Sequence, residues 1–261
     1  MQGSTKLSLG QKGDADPELV KGVNLFLGLE PESCQEQDMN DGHVFSLAGA
    51  ELTALPSGAL WWAHLRLLCV SDLHLGKSER MARRGAGLLP PYETRDTLQR
   101  LENDLRATGA ATVVCLGDSF DDREAAESLE EDEQLWIRRM QAGRRWVWIE
   151  GNHDPGQLDL GGTHMGELLN PPLTFRHIAK TGASGEISGH YHPKAALNVR
   201  GRVVSRPCFL YDSDRVVMPA YGTYTGGLRT TDAALSGLMR REACAVLIGQ
   251  TAQVIPMPRS G

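Results

Sequence analysis

The sequence has no apolar run near the roughly 20 residues that a membrane helix needs, no C-x-x-C pair and no excess of basic charge. Its most apolar early stretch, Val23 to Leu29, is too short and too closely flanked by acids for a secretory signal. These absences predict a soluble, cytoplasmic protein with no membrane partner. Five cysteines (Cys34, Cys69, Cys115, Cys208, Cys244) are scattered and odd in number, which argues against a disulfide framework and against a thiolate zinc site. Cys69 and Cys115 lie inside apolar runs and read as small buried hydrophobes. The net charge of −6 and pI near 5.8 argue against a broad basic surface for nucleic acid, while leaving room for a local basic groove.

The acidity is concentrated at one end. Residues 1–51 carry three Lys/Arg against nine Asp/Glu, and the rest of the chain balances. Residues 1–42 are polar, acidic and without sustained periodicity, so they read as a disordered or loosely attached tail, with 43–261 as one domain. Met39 leads into patterned sequence, and a shorter product starting there is testable by intact-mass measurement.

From Val44 onward, short apolar runs alternate with amphipathic stretches, the mark of an α/β domain. Leu65 to Ser71, Thr112 to Leu116 and Trp146 to Ile149 read as buried strands. The spacing of Leu98, Leu101 and Leu105 predicts a helix over Tyr92 to Ala107, and a second helical segment runs from Arg123 to Gln141. After Pro172 the chain reads as strand-rich: Leu173 to His177, Gly185 to Gly189, Arg202 to Asp212, Arg215 to Pro219 and Gln253 to Met257, with helical signal again from Thr231 to Glu242. Two sheets packed face to face with helices outside fit one core of about 200 residues.

Each of the first three strands ends in a distinctive polar cluster: Asp72-Leu73-His74, Gly117-Asp118, and Gly151-Asn152-His153-Asp154. The carboxyl ends of neighbouring strands in an open α/β sheet face one crevice, so these groups should converge. Gly117 and Gly151 would let the backbone pass close to a bound ion. The later half adds His177 and Gly189-His190-Tyr191-His192. Alternating residues of a strand face opposite ways, so an H-x-H pair aimed at one point needs a turn, which Gly189 and Pro193 permit. His43, His64 and His164 read as structural or surface residues. Two carboxylates (Asp72, Asp118), one amide oxygen (Asn152) and four imidazoles (His74, His177, His190, His192) suit two borderline divalent ions such as Mn, Fe or Zn.

The ordered set D-x-H, G-D, G-N-H-D, H and G-H-x-H resembles the calcineurin-like metallophosphoesterase superfamily. That resemblance implies a four-layer αββα sandwich of two mixed sheets flanked by helices. It implies one ion on Asp72, His74, Asp118 and His192, and a second on Asp118, Asn152, His177 and His190, with Asp118 shared. His153 would serve the leaving group, oriented by Asp154. The stretches LPSGALWW, DLHLGKS, LPPYET, GDSF, GEISGHYHPKA, RPCF and AYGTYTGGL also resemble the bacterial ligase-associated DNA damage response endonucleases, the PdeM type. This second likeness implies a metal-dependent nuclease or phosphodiesterase in DNA repair, with a DNA ligase and helicase as functional partners; of the borderline ions that the donor set suits, manganese is the expected one, with Fe or Zn as alternatives. Asp121 departs from that pattern, which favours His after GDSF, and so puts ion preference or selectivity in question.

Lys77, Arg80, Arg83, Arg84 and Arg95 follow the first ligand pair. Arg80, Arg83 and Arg84 are the candidate substrate-binding rim, continued by Arg200, Arg202 and Arg206, although a solvated loop reads equally well. Trp146 and Trp148 read as core rather than base-stacking residues, and the Tyr221 to Gly227 stretch reads as turn chemistry. The competing functions are a small-nucleotide or cyclic-nucleotide phosphodiesterase and a non-catalytic scaffold; retention of the whole ligand set and of His153 argues against the scaffold.

Overall fold

Alternating burial along short strands organises the chain into two sheets. A computed structural model describes residues 41–85, 89–90, 92–152, 160–199 and 201–259. The expected tail therefore lies almost wholly outside the described residues. The first sheet runs in chain order: β1 (His43–Leu47), β2 (Ala50–Ala54), β3 (Leu60–Trp62), β4 (Leu67–Val70), β5 (Thr112–Leu116), β6 (Arg145–Ile149) and β7 (Thr163–Met165). Pairing is antiparallel from β1 to β4 and parallel from β4 to β7. The parallel crossovers carry helices α1 (Lys77–Arg83), α2 (Glu93–Thr108), α3 (Arg123–Glu127) and α4 (Glu131–Gln141).

The second sheet contains β8 (Glu167–Asn170), β9 (Leu173–Arg176), β10 (Glu186–Ser188), β12 (Arg202–Tyr211), β13 (Arg215–Val217), β14 (Cys244–Leu247) and β15 (Gln253–Pro256), while β11 (Lys194–Val199) joins it through β12. Its order is β15-β14-β12-β13-β10-β9-β8, with β10 parallel to both β9 and β13. Helix α5 (Ala233–Leu238) follows β13.

Strand periodicity sorts the side chains into layers. Leu68, Val70, Val113, Cys115, Trp146 and Trp148 face Leu98, Leu101 and Leu105 of α2 and Ile137 and Met140 of α4. Their neighbours Leu67, Cys69, Val114, Leu116, Val147 and Ile149 face Phe175, Ile187, Phe209, Val216 and Val246 of the second sheet. The far side of that sheet (Cys208, Leu210, Val217, Ala245, Leu247) covers Leu235 of α5. The expected αββα sandwich results. Burying each such Leu, Val or Phe is worth about 1.5–3 kcal/mol, so the intersheet layer carries much of the driving force. Trp146 and Trp148 are core residues, and among the described residues no helix is long and apolar enough to cross a membrane. The four described cysteines are free, and Cys69, Cys115 and Cys208 are buried.

Three boundaries differ from expectation. The helical segment from Arg123 to Gln141 is two helices: Asp122 caps the first by accepting from the Ala125 N–H (2.8 Å), and Glu130 and Glu133 form a capping box that starts the second. The strand expected from Leu65 begins at Leu67, because Ala63–Leu65 is a 3-10 turn closed by Arg66 in the left-handed region (φ 48°). Helix α5 occupies only the middle of the expected Thr231 to Glu242 segment.

Candidate metal centre

The polar clusters sit at strand tips. Asp72 and His74 follow β4, Asp118 follows β5 and Asn152 follows β6; from the other sheet, His177 follows β9, and His190 and His192 follow β10. The first two loops are tied together by the Asp72 N–H to the Gly117 carbonyl (3.2 Å), His74 N–H to Asp118 (3.0 Å) and Leu75 N–H to Ser119 (3.0 Å). Five of the eight described non-glycine residues with positive φ are in this set: Asp72 (53°), His74 (45°), Asp118 (45°), His190 (69°) and His192 (46°). A left-handed residue costs roughly 1–2 kcal/mol, and such strain concentrates where a site requires it. The turn swings D-x-H and H-x-H side chains to one side, as an extended strand could not.

Two groups of three side chains result. The ligand atoms of Asp72, His74 and His192 all lie within 4.8 Å of one another, as do those of Asp118, His177 and His190. Each group draws on both sheets. Asn152 joins the second, its Oδ1 lying 2.9 Å from His177 Nε2.

The chemistry of these atoms fits cations. Asp72 Oδ2 is occupied by the Ser71 hydroxyl (2.5 Å) and the His190 N–H (3.0 Å), but its buried Oδ1 and the buried His192 Nε2, 3.0 Å apart, each have no hydrogen-bond partner among the described residues. His177 Nδ1 lies 2.9 Å from the Leu116 carbonyl, an acceptor only, so Nδ1 carries the proton. Its Nε2 then faces Asn152 Oδ1, Asp118 Oδ2 (3.3 Å) and His190 Nδ1 (3.2 Å). Lone pairs aimed at one another call for positive charge between them. Burial works against a charged His177, but its hydrogen bond to Asp118 and the Asp72 and Asp118 charges outweigh burial and push it up to about 8. The same carboxylates favour a divalent cation in place of that proton. Burial, reinforced by His177, lowers His190 below the ordinary imidazole value.

Asp121 joins neither group. It is buried and accepts from His74 Nδ1 (2.8 Å) and Arg80 (2.5 Å), which fixes the imidazole rotation. Burial would raise its carboxyl, but the hydrogen bonds from His74 and Arg80 hold it far below the usual range. Gly117 and Gly151 serve the site's side chains: a Cβ on Gly117 would run into the His177 ring, and one on Gly151 into the backbone N and carboxylate of Asp118.

The arginines of α1 are already engaged. Arg80 pairs with Asp121, Arg83 with Glu79, Asp122 and Glu124, and Arg84 with Asp122 at 3.5 Å. Arg95 pairs with Glu130 (2.9 Å). His43 meets the Tyr211 hydroxyl (3.1 Å) and His164 stacks on Trp148. His153, Asp154 and Arg200 lie outside the described residues.

The Tyr221 to Gly227 stretch holds the first ligand loop in place. The Tyr221 and Gly222 N–H groups donate to the Ser71 and Asp72 carbonyls (2.7 and 3.1 Å), while the Tyr221 hydroxyl donates to Asp104 of α2 (2.9 Å) and Arg100 donates to its carbonyl (2.6 Å). A turn-rich motif with no metal-binding atom gives no sequence signal for such a role.

Fold and site together define a phosphoesterase. The sequence matches the calcineurin-like phosphoesterase family over residues 65–207, more than half of the chain, and the protein belongs to that family of hydrolases acting on phosphoester bonds. Among solved structures it is similar to the nuclease MPE of Pseudomonas putida, at 25% identity and a TM-score of 0.65, covering 81% of this chain and 100% of that one. A match to YfcE, a phosphoesterase from E. coli, has 13% identity and a TM-score of 0.37 over 74% of this chain and 99% of that one, too distant to carry an argument. No curated protein sequence matches the chain.

Proposed function

We propose that this protein is a two-metal phosphodiesterase that cleaves DNA, acting in DNA repair in the cytoplasm with manganese as its native metal. The observation that carries the reading is the facing of acceptor atoms in two adjoining groups, Asp72/His74/His192 and Asp118/His177/His190, with Asn152 at the second. The likeness to a nuclease supports a nucleic acid over a small nucleotide as substrate, and the motif resemblance favours DNA. The DNA ligase and helicase association is a further proposal, resting on motif resemblance and testable by co-purification.

Two divalent ions, when bound, would polarise phosphoryl oxygens and activate water as a nucleophile near neutral pH. Asp72, His74 and His192 would hold one ion and Asp118, Asn152, His177 and His190 the other, with Asp118 serving both by the motif resemblance. Only two carboxylates oppose the four positive charges, so an anionic phosphate is drawn in. His153, carried from the sequence motif, protonates the leaving oxygen, and Asp154 orients its ring.

The test is hydrolysis of bis-p-nitrophenyl phosphate and of labelled single- and double-stranded DNA, with manganese restored after chelation and metal content measured in parallel. His153→Ala should keep both ions and lose roughly 10²–10⁴ in rate. Asp118→Asn should lose the ions themselves. Hydrolysis of the small diester alone would favour a nucleotide phosphodiesterase, and full metal loading without hydrolysis would favour the scaffold.

A further inference from the structure

From Ile187 to Tyr211 the sequence contains no Asp or Glu and four Lys/Arg: Lys194, Arg200, Arg202 and Arg206. In a chain of net charge −6 this is the longest stretch without an acidic residue, and it contains the candidate ligands His190 and His192, with Lys194 two residues beyond His192. Within it, β11 and the first part of β12 pair as a two-stranded antiparallel ribbon. Among the described residues, 202–206 of β12 pair only with β11, whereas 208–211 pair with β14 and β13, so the ribbon extends beyond the sheet. Arg202 and Arg206 are exposed and, having the same parity, lie on one face of the ribbon about 13 Å apart along the strand. Arg229, also exposed, is brought alongside by the bridge between Lys194 and Arg229.

The contrast with α1 is informative. Arg80, Arg83 and Arg84 are met by carboxylates, but among the described residues Arg202, Arg206 and Arg229 make no ion pair. Free guanidinium groups on a projecting ribbon suit repeated phosphates, and a two-stranded ribbon is of a size that the DNA major groove admits. A lipid surface fits less well, because the exposed part of β12 offers one large apolar side chain, Val203.

We propose that the β11–β12 ribbon, through Arg202 and Arg206 with Arg229 beside it, docks the phosphate backbone of nucleic acid and leads it to the metal centre. The proposal rests on the phosphodiester reading above and moves the substrate-binding rim from α1 to the ribbon.

The test compares full-length, manganese-loaded protein with the double variant Arg202→Glu/Arg206→Glu, a milder Arg202→Gln/Arg206→Gln, and Arg241→Glu, which matches the Gln pair in net charge, as a control. Binding to fluorescein-labelled, cleavage-resistant phosphorothioate oligonucleotides, single- and double-stranded, is followed by anisotropy across salt, alongside hydrolysis of bis-p-nitrophenyl phosphate and thermal melting. The reversal should weaken oligonucleotide binding on the order of tenfold or more and flatten the log–log salt slope by about 1.8 for two lost contacts. Small-diester hydrolysis should stay within about twofold, as no transition-state contact is lost. The Gln pair should show a smaller change of the same sign, which reads the effect even if the reversal misfolds.

Unchanged binding and slope, or an equal loss in Arg241→Glu, would overturn the ribbon while leaving the phosphodiesterase standing. Absence of any diester hydrolysis by metal-loaded wild type would instead remove the catalytic reading, with the ribbon still judged by anisotropy. Loss of binding to phosphatidylserine vesicles with oligonucleotide binding intact would also overturn it.

Discussion

Asp121 accepts a hydrogen bond from His74 Nδ1 at 2.8 Å, so His74 presents its other ring nitrogen toward Asp72 and His192. Carboxylate partners of this kind orient an imidazole and raise its basicity, and their removal typically costs about 10–100-fold in metal affinity. Asp121→Asn should therefore weaken one metal site by that factor and spare the other, read by calorimetric titration of chelated protein with manganese. Equal weakening of both sites would show that Asp121 acts on the fold as a whole.

Gly151 stands against the backbone N and carboxylate of Asp118. Gly151→Ala should displace Asp118 and cost roughly 1–3 kcal/mol, as overpacking does. Thermal melting should fall, and metal content should fall with it. A variant that melts lower but binds both ions normally would show that the loop yields elsewhere.

Glu186 is fully buried between Arg215 (2.9 Å) and Arg176 (3.2 Å). Removing one partner of a buried ion pair strands the other, at about 3–5 kcal/mol. Glu186→Gln should be destabilised by that amount in urea unfolding, and a loss below about 1 kcal/mol would mean that both guanidinium groups find other acceptors.

Asp104 is on the buried face of α2, and burial raises its carboxyl despite hydrogen bonds from Ser57 and Tyr221 and the nearby Arg100 charge. A raised folded value means that the folded chain holds the proton more tightly than the unfolded one. The resulting stabilisation is complete below the ordinary carboxylate value of about 3.9 and is lost as pH rises through the folded value. Asp104→Asn keeps an acceptor for the Tyr221 hydroxyl and removes the titration. Its melting temperature relative to wild type should climb as pH rises from that acid range; a constant difference would refute the assignment.

Much of this was legible in the residues. β5 begins and ends where the run TVVCL does, because a strand buried on both faces is a continuous apolar run. The ligand clusters were legible because each ends such a run, and strand ends share a crevice. β7 and β8 were not read: THM and ELLN are short, half exposed and without strong periodicity. The break at Ser128 to Glu130 was hidden because Leu129 is buried and continues the apolar pattern across it. The α1 arginines looked available in sequence, since Asp121, Asp122 and Glu124, which meet them, lie about forty positions away. The role of Tyr221 was invisible for a related reason: it acts through backbone N–H groups, which every non-proline residue possesses.

Each group of ligand atoms takes members from both sheets, and this gives the centre a mechanical role beside its chemistry. An ion seated there rivets one half of the sandwich to the other, so the work of prising the sheets apart includes the work of expelling the ion. By mass action, free metal at a hundred times its dissociation constant adds about 2.7 kcal/mol per site to the intact sandwich. Cellular metal supply would then set how long the protein survives, and starvation for the ion would loosen the seam between the sheets as well as silence the enzyme.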